Sequence, residues 1–405
     1  MYKGGAYLSL QLLKKMSNKN LPDFRDTERA FRHLSDRDLS RGRLLFELLS
    51  RPWLVAIGSF FARVALFIHL PIGWAIRPTV YAQFCGGEDV DESEETIALL
   101  YTSKVMTILD YSAEGVDAEN DLDFTCSEVL KTVEAAAHDP RHAFAVFKPS
   151  GLSSNALLMK KKKDFSENDL EAWERVERRV RSICAATAEA GGRVLIDAEE
   201  SWIQDNIDEL AEDMMSDFNR ERAVVFTTAQ LYRHDRLAYV KELTLKANEA
   251  GFIAGVKLVR GAYMEKERER AEERGYISPI QTDKKSTDLD FDHAVKFCLE
   301  NLERVHLFCG SHNEESNMNL CESMAEMGIA NNDPRITFSQ LLGMSDPITF
   351  NLADHGYNVA KYVPYGPIRE AMPYLIRRAK ENTSVAGQTS RELTLIREEI
   401  ARRKS

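Results

Sequence analysis

The chain has 405 residues, with 53 Lys+Arg against 64 Asp+Glu and a formal net charge of −11. That acidic balance excludes bulk nucleic-acid binding, because little would neutralise a run of phosphates. A hydrophobic content of 44%, with only 21 Gly and 12 Pro, excludes a disordered or collagen-like chain.

The opening segment MYKGGAYLSLQLLKKM has no long apolar run and no small-residue cleavage site, which predicts a protein that is not exported. The six cysteines form no CxxC pair and predict free thiols in a reducing compartment. Trp53 to Ile76 is long enough to span a bilayer, but Arg63 splits it and Pro71-Ile72-Gly73 breaks its second half. It reads as helices buried or facing a partner, with a peripheral membrane contact as the alternative. Leu39 to Leu49 and Glu92 to Val105 read as helices on either side, so 1–104 is assigned as a helical arm.

From residue 105 the pattern becomes regular. Short apolar runs recur at 105–111, 142–148, 193–199, 222–228, 254–260, 304–310, 335–341 and 357–363. Each is strand length with little polar alternation, as expected of strands covered on both faces. Between them lie helices with start and stop signals: Ser166 opening a charged amphipathic run, Asp235 and Gly251 bracketing another, and Ser345-Asp346-Pro347 as a cap followed by proline. Eight strand–helix units predict an α/β fold, a (βα)8 barrel over 105–385. The rival doubly wound sheet lacks its GxGxxG fingerprint anywhere in the chain. Residues 386–405 form the tail, with Thr389 to Ser405 read as a charged amphipathic helix. Lys160 to Lys163 reads as a solvated loop.

Barrel enzymes place their chemistry at the carboxyl ends of strands. Here those positions carry Asp110 and Glu114, Lys148, then Asp197, Glu199 and Glu200, Gln230, Lys257 and Arg260, Ser311-His312-Asn313, Gln340 and Leu341, and Tyr362 and Tyr365. Strands closing on charges around one axis predict a single polar pocket. After the eighth strand, Tyr374, Arg378 and Glu381 share a helix face with Arg377 beside them, a pattern suited to bidentate capture of a carboxylate. Asp197, Glu199 and Glu200 also fit acid–base work or a divalent metal, and Lys148 fits a Schiff-base lyase. There is no HExxH, GxSxG or P-loop. Residue patterns alone stop at a barrel enzyme acting on a small anionic substrate.

The same residues carry a resemblance. LIDAEES (195–201), KLVRGAYM (257–264), TDKKSTDLDF (282–291), SHNEES (311–316), FSQLLGM (338–344) and YVPYGPIREAMPYLIRRAKEN (362–382) together resemble the proline dehydrogenase family, from about Thr79 to Asn382. The resemblance implies a barrel holding FAD without a Rossmann domain. It implies oxidation of L-proline to Δ1-pyrroline-5-carboxylate by hydride transfer to flavin N5, with electrons passed to a membrane quinone. Arg377 and Arg378 would clamp the substrate carboxylate with help from Lys148. Tyr362, Tyr374 and Leu341 would wall the ring, Asp197 would support the pocket, and Glu114 would be a gating carboxylate. Gln230, Lys257, Val259, Gly261, Tyr263, Thr282, Lys284, Thr287, His312, Asn313 and Glu381 would serve the cofactor, with no metal. Lys257 stands where many bacterial members carry arginine, so it donates there as a point charge rather than a planar fork. The expected setting is the cytoplasmic side with a membrane surface within reach. The product is expected to pass to a separate pyrroline-5-carboxylate dehydrogenase.

Overall fold

The computed structural model describes residues 21–68, 70, 72–111, 118–137, 139–384 and 388–405; the side chains of 66 and 381–390 lie outside that description. Eight parallel strands run β1 Met106–Tyr111, β2 Ala145–Phe147, β3 Val194–Ile196, β4 Val225–Gln230, β5 Ala254–Val259, β6 Val305–Gly310, β7 Ile336–Leu341 and β8 Val359–Tyr365. Their order, β1-β8-β7-β6-β5-β4-β3-β2, is that of a barrel. The remaining seam closes where Thr107 pairs with His142, with Thr107 N–H donating to Arg141 O at 2.8 Å and Ala143 N–H to Thr107 O at 2.9 Å. All eight expected strands are present. The second and third are shorter than their apolar runs because their outer residues bend into loops.

The sheet needs helices on its outer face to cover the apolar runs. They are α1 Thr27–Phe31, α2 Asp36–Leu49, α3 Pro52–Phe67 and α4 Glu94–Tyr101 ahead of the barrel, then α5 Glu119–Ala136, α6 Glu167–Glu189, α7 Ser201–Phe218, α8 Arg236–Ala250, α9 Met264–Arg274, α10 Lys284–Glu300, α11 Glu314–Glu326, α12 Asp346–Asp354, α13 Ile368–Ser384 and α14 Gln388–Arg402. Ser166 and Asp169 form a reciprocal capping box on α6, and Gly251, at φ 72°, ends α8 in the left-handed region. Asp235 does not cap α8; Arg233 and Arg236 hold its carboxylate, each at 2.7 Å. The lysine run lies at the surface as expected, with Lys160, Lys161 and Lys163 exposed; Lys160 pairs with Asp169 at 2.7 Å, and Lys162 with Glu209 at 2.8 Å while lying over the Trp173 ring.

Inside the barrel, Phe144 meets Phe226 and Phe308 edge-on at 5.2 and 5.1 Å, and Tyr362 stands over Phe308 at 6.3 Å. This aromatic plug fills the axis and sets a floor beneath the carboxyl-end mouth. The arm and the tail share one layer. Leu393, Leu395 and Ile396 of α14 pack on Phe31, Leu39 and Phe46. Arg403 donates to the carbonyls of Phe31 and Leu34 and to Asp36. Leu49 and Val55 pack with Ala371, Met372, Tyr374 and Leu375 of α13, so the arm seats the helix that carries both arginines.

Candidate active site

A cation, a carboxylate and a phenol meet on the barrel floor. Lys257, inside β5, donates to Asp197 Oδ1 at 2.7 Å and to the Tyr362 hydroxyl at 2.5 Å. Its ammonium lies 4.4 Å from the Tyr362 ring centroid and 5.9 Å from that of Phe308. Burial and the Asp197 carboxylate hold the Tyr362 phenol well above its ordinary pKa, so it remains protonated. Lys148, after β2, faces Asp110 at the end of β1 across 3.8 Å.

Asp197, Glu199 and Glu200 part company after β3. Glu199 is buried and accepts from Ser150 N at 2.8 Å and Ser150 Oγ at 2.5 Å, clamping the turn that follows Lys148. Burial pushes its carboxyl up to about 7. Glu200 instead pairs with Lys266. The three therefore do not form the metal or acid–base cluster that their spacing allows, and no metal-holding group occurs among the described residues.

Gln230, at the end of β4, is buried; its amide donates to Glu199 O at 2.7 Å and accepts from Ala262 N at 3.2 Å. It thus knits the β3, β4 and β5 ends together. Val259 closes β5, and Gly261 follows at φ 136°, where a Cβ would lie 2.4 Å from the Tyr232 ring. Tyr263 precedes α9. Thr282 is exposed at the rim, Lys284 pairs with Asp288 there, and Thr287 is buried one turn into α10. Arg260 also holds Asp288, at 2.7 Å, and donates to Ser311 and Ser316. His312 Nδ1 lies 2.9 Å from Ser345 Oγ, and burial with nearby cations pushes its pKa down to about 3, keeping the ring neutral. Asn313 caps α11 by accepting from Ser316 N at 3.0 Å.

Over this mouth lies α13. Arg378 is 7% exposed, with its guanidinium 5.3 Å from the buried Tyr374 ring; Arg377 beside it is half-buried. Leu341 packs against both the cluster that contains Tyr374 and the one that contains Tyr362, so the three form a continuous wall. Glu381 sits on α13 with its side chain outside the described residues, and Glu114 lies outside them altogether. Four partners escaped sequence reasoning. Asp110 was visible as a strand-end acid, but its pairing with Lys148 was not. Ser150 and Glu392 carried no motif, and Ser345 was visible only as a helix cap.

A family profile described as proline dehydrogenase matches residues 93–391. The chain belongs to the proline dehydrogenase family. It is 34% identical to the carbapenem antibiotics biosynthesis protein CarD of Pectobacterium carotovorum, over 79% of this chain and 83% of that one. It is 30% identical to hydroxyproline dehydrogenase of Xenopus laevis, over 92% and 88%. Human mitochondrial proline dehydrogenase 1 is 38% identical over 59% of this chain, which spans 40% of that protein. The proline utilization A structure from Bdellovibrio bacteriovorus, inactivated by N-propargylglycine, superposes with a TM-score of 0.71 at 24% identity; it covers 80% of this chain and 35% of its own. That likeness establishes the family's barrel fold for this chain.

The mouth suits a dinucleotide flavin in its donor chemistry. Lys257 spends only two of its three ammonium protons on Asp197 and Tyr362. The amino end of α10 is capped by Asp283, which accepts from Ser286 N at 2.7 Å, so a pyrophosphate there would meet the Thr282 hydroxyl and the Lys284 ammonium rather than open backbone N–H groups.

Proposed function

We propose that this member of the family oxidises L-proline to Δ1-pyrroline-5-carboxylate, with FAD bound at the ends of β4–β6 and a quinone receiving the electrons. The observation that carries the reading is the buried Arg378 stacked beside Tyr374 on a helix across the barrel mouth. A desolvated guanidinium with an apolar wall beside it suits a small amino acid whose carboxylate is bound at one end and whose ring is enclosed at the other. FAD, when bound, supplies the two-electron acceptor. The chain's own part is orientation. Arg377 and Arg378 hold the carboxylate, assisted by Lys148, while Tyr362, Leu341 and Tyr374 fix the ring. Oxidation leaves positive charge on the C–N unit, so the amine must be neutral at that step, and its remaining proton leaves to solvent. The Tyr362 phenol crowds the far ring carbon and favours proline over 4-hydroxyproline, the compound named in one relative.

The test needs one cuvette. Purified protein should show a flavin absorption band that bleaches on adding proline. Arg378→Met should keep the band while raising KM for proline by about 100-fold, a loss of charge-assisted bonds near 3 kcal/mol. A colourless protein, or one whose band ignores proline, would remove the reading.

A lipid surface as the second partner has its own support. Among the described residues no single helix is long and apolar enough to cross a membrane. Yet α3 exposes Trp53, Ile57, Phe60, Phe61 and Phe67, and the short helix Gly73–Ile76 exposes Trp74, with Phe67 and Trp74 at 83% and 82%. Residues 48–87 contain no Asp or Glu but hold Arg51 and Arg63, in a chain of net charge −11, while Arg77 is paired with Glu88 and Glu92. Aromatic and basic residues together suit an anionic bilayer interface, where a quinone would also reside.

A further inference from the structure

A buried polar cluster joins the tail to the barrel mouth. Ser345, which should cap α12, has φ 55° and makes no side-chain cap bond. A non-glycine residue in this region is strained and persists only where its surroundings enforce it. Here they do. Glu392, buried on α14, reaches over and accepts from Ser345 N at 3.1 Å, and Asp346 N–H also points to its carboxylate. The tail thus supplies from outside the cap that Ser345 withholds. Lys361, fully buried in β8, fixes the same turn from below; its ammonium donates to Met344 O at 2.5 Å, Asp346 Oδ1 at 2.8 Å and Leu341 O at 3.2 Å.

Released from capping, the Ser345 hydroxyl turns to His312 Nδ1 at 2.9 Å. The ring is neutral, and the Ser345 hydroxyl, able to donate or accept, is one of the groups that hold its Nδ1 edge in place. We infer that Glu392 and Ser345 are positioning residues for the cofactor: Glu392 caps α12 so that Ser345 can help fix the orientation of the His312 ring at the flavin edge of the mouth. Burial and Asp346 raise the Glu392 carboxyl, but an oxygen accepts from Ser345 N in either protonation state.

This inference rests on the flavin reading above, and its test separates the two. FAD affinity is measured by titrating deflavinated protein, with thermal unfolding alongside. Ser345→Gly removes the hydroxyl together with Cβ, at a backbone position that glycine adopts without strain. It should keep the unfolding midpoint while weakening FAD binding about tenfold and shifting the flavin band. Glu392→Met should weaken FAD binding similarly, and Glu392→Gln, which keeps an acceptor, should restore it. Should Glu392→Met fail to fold, Ser345→Gly decides alone. Wild-type FAD affinity and spectrum in Ser345→Gly would overturn the inference, as would Glu392→Gln behaving like Glu392→Met. A wild-type protein that takes up no FAD would instead overturn the parent reading, and this one with it.

Discussion

Lys257 and Asp197 form an ion pair at 2.7 Å across the floor of the barrel, joining β5 to the loop after β3, with both side chains largely withdrawn from water. The pair stands on Phe308 and beside Tyr362, in the one part of the interior where the aromatic plug stops. Two opposite charges here are tolerable together and costly apart, because desolvation of a lone ammonium is several kcal/mol.

Asp197→Ala should therefore destabilise by about 3–5 kcal/mol, since it leaves the Lys257 charge buried against an aromatic face. Lys257→Met leaves the Asp197 carboxylate unpaired in its turn and should also destabilise, by less because Asp197 is the more exposed of the two. The double variant should recover most of the Asp197→Ala loss. Urea unfolding of the four proteins closes the cycle. Strictly additive single effects would mean that the pair is not coupled.

Glu199 makes a second prediction, in pH. Its carboxyl ionises at about 7 in the folded chain against an ordinary 4.5, chiefly because it is buried. The folded state then binds the extra proton between those values, so stability from this group is complete below pH 4.5 and declines as pH rises through 7. At about 1.36 kcal/mol per unit the decline has an upper limit of about 3.4 kcal/mol. Glu199→Gln keeps the contact with Ser150 and removes the titration. Its unfolding free energy should be flatter than that of the wild type from pH 4.5 to 7; the same slope in both would rule Glu199 out as the cause.

The barrel was legible because its strands are buried on both faces and so advertise themselves as unbroken apolar runs. The Ser166 cap was legible because a capping box is local. The strand-end residues could be enumerated for the same reason. What stayed hidden is pairing at a distance. Asp197, Glu199 and Glu200 are neighbours in sequence, yet they turn to Lys257, Ser150 and Lys266 respectively. Ser345 looked like an ordinary cap because nothing in Ser-Asp-Pro reveals that Glu392, on the last helix, performs that task. The return of α14 onto α1 and α2 needs the apolar faces of both, and periodicity gives each face without its partner. No property of the residues alone put the arm against α13; only the fold brought Val55 to Tyr374.

That last contact bears on the lipid surface. Helix α3 turns Val55 inward toward α13 and Phe60 and Phe61 outward, with the two outer rings 63% and 64% exposed and 5.7 Å apart. One face therefore braces the arginine helix while the opposite face is free to enter a bilayer. Burying both rings in lipid is favourable by roughly 2 kcal/mol each. Phe60→Asp/Phe61→Asp should accordingly lower partition onto vesicles of phosphatidylcholine with phosphatidylglycerol by at least 100-fold. Because neither side chain reaches the barrel mouth, turnover with a soluble electron acceptor should be unchanged, while turnover with vesicle-bound quinone should fall. Co-sedimentation and the two assays separate the alternatives. If the double variant stays on vesicles, the face does not bind lipid. If it leaves them and soluble-acceptor turnover collapses too, the face is part of the fold that holds α13 in place. A wild-type protein that dimerises through these rings, and loses the dimer in the variant without ever binding vesicles, would give the surface to a second copy of the chain.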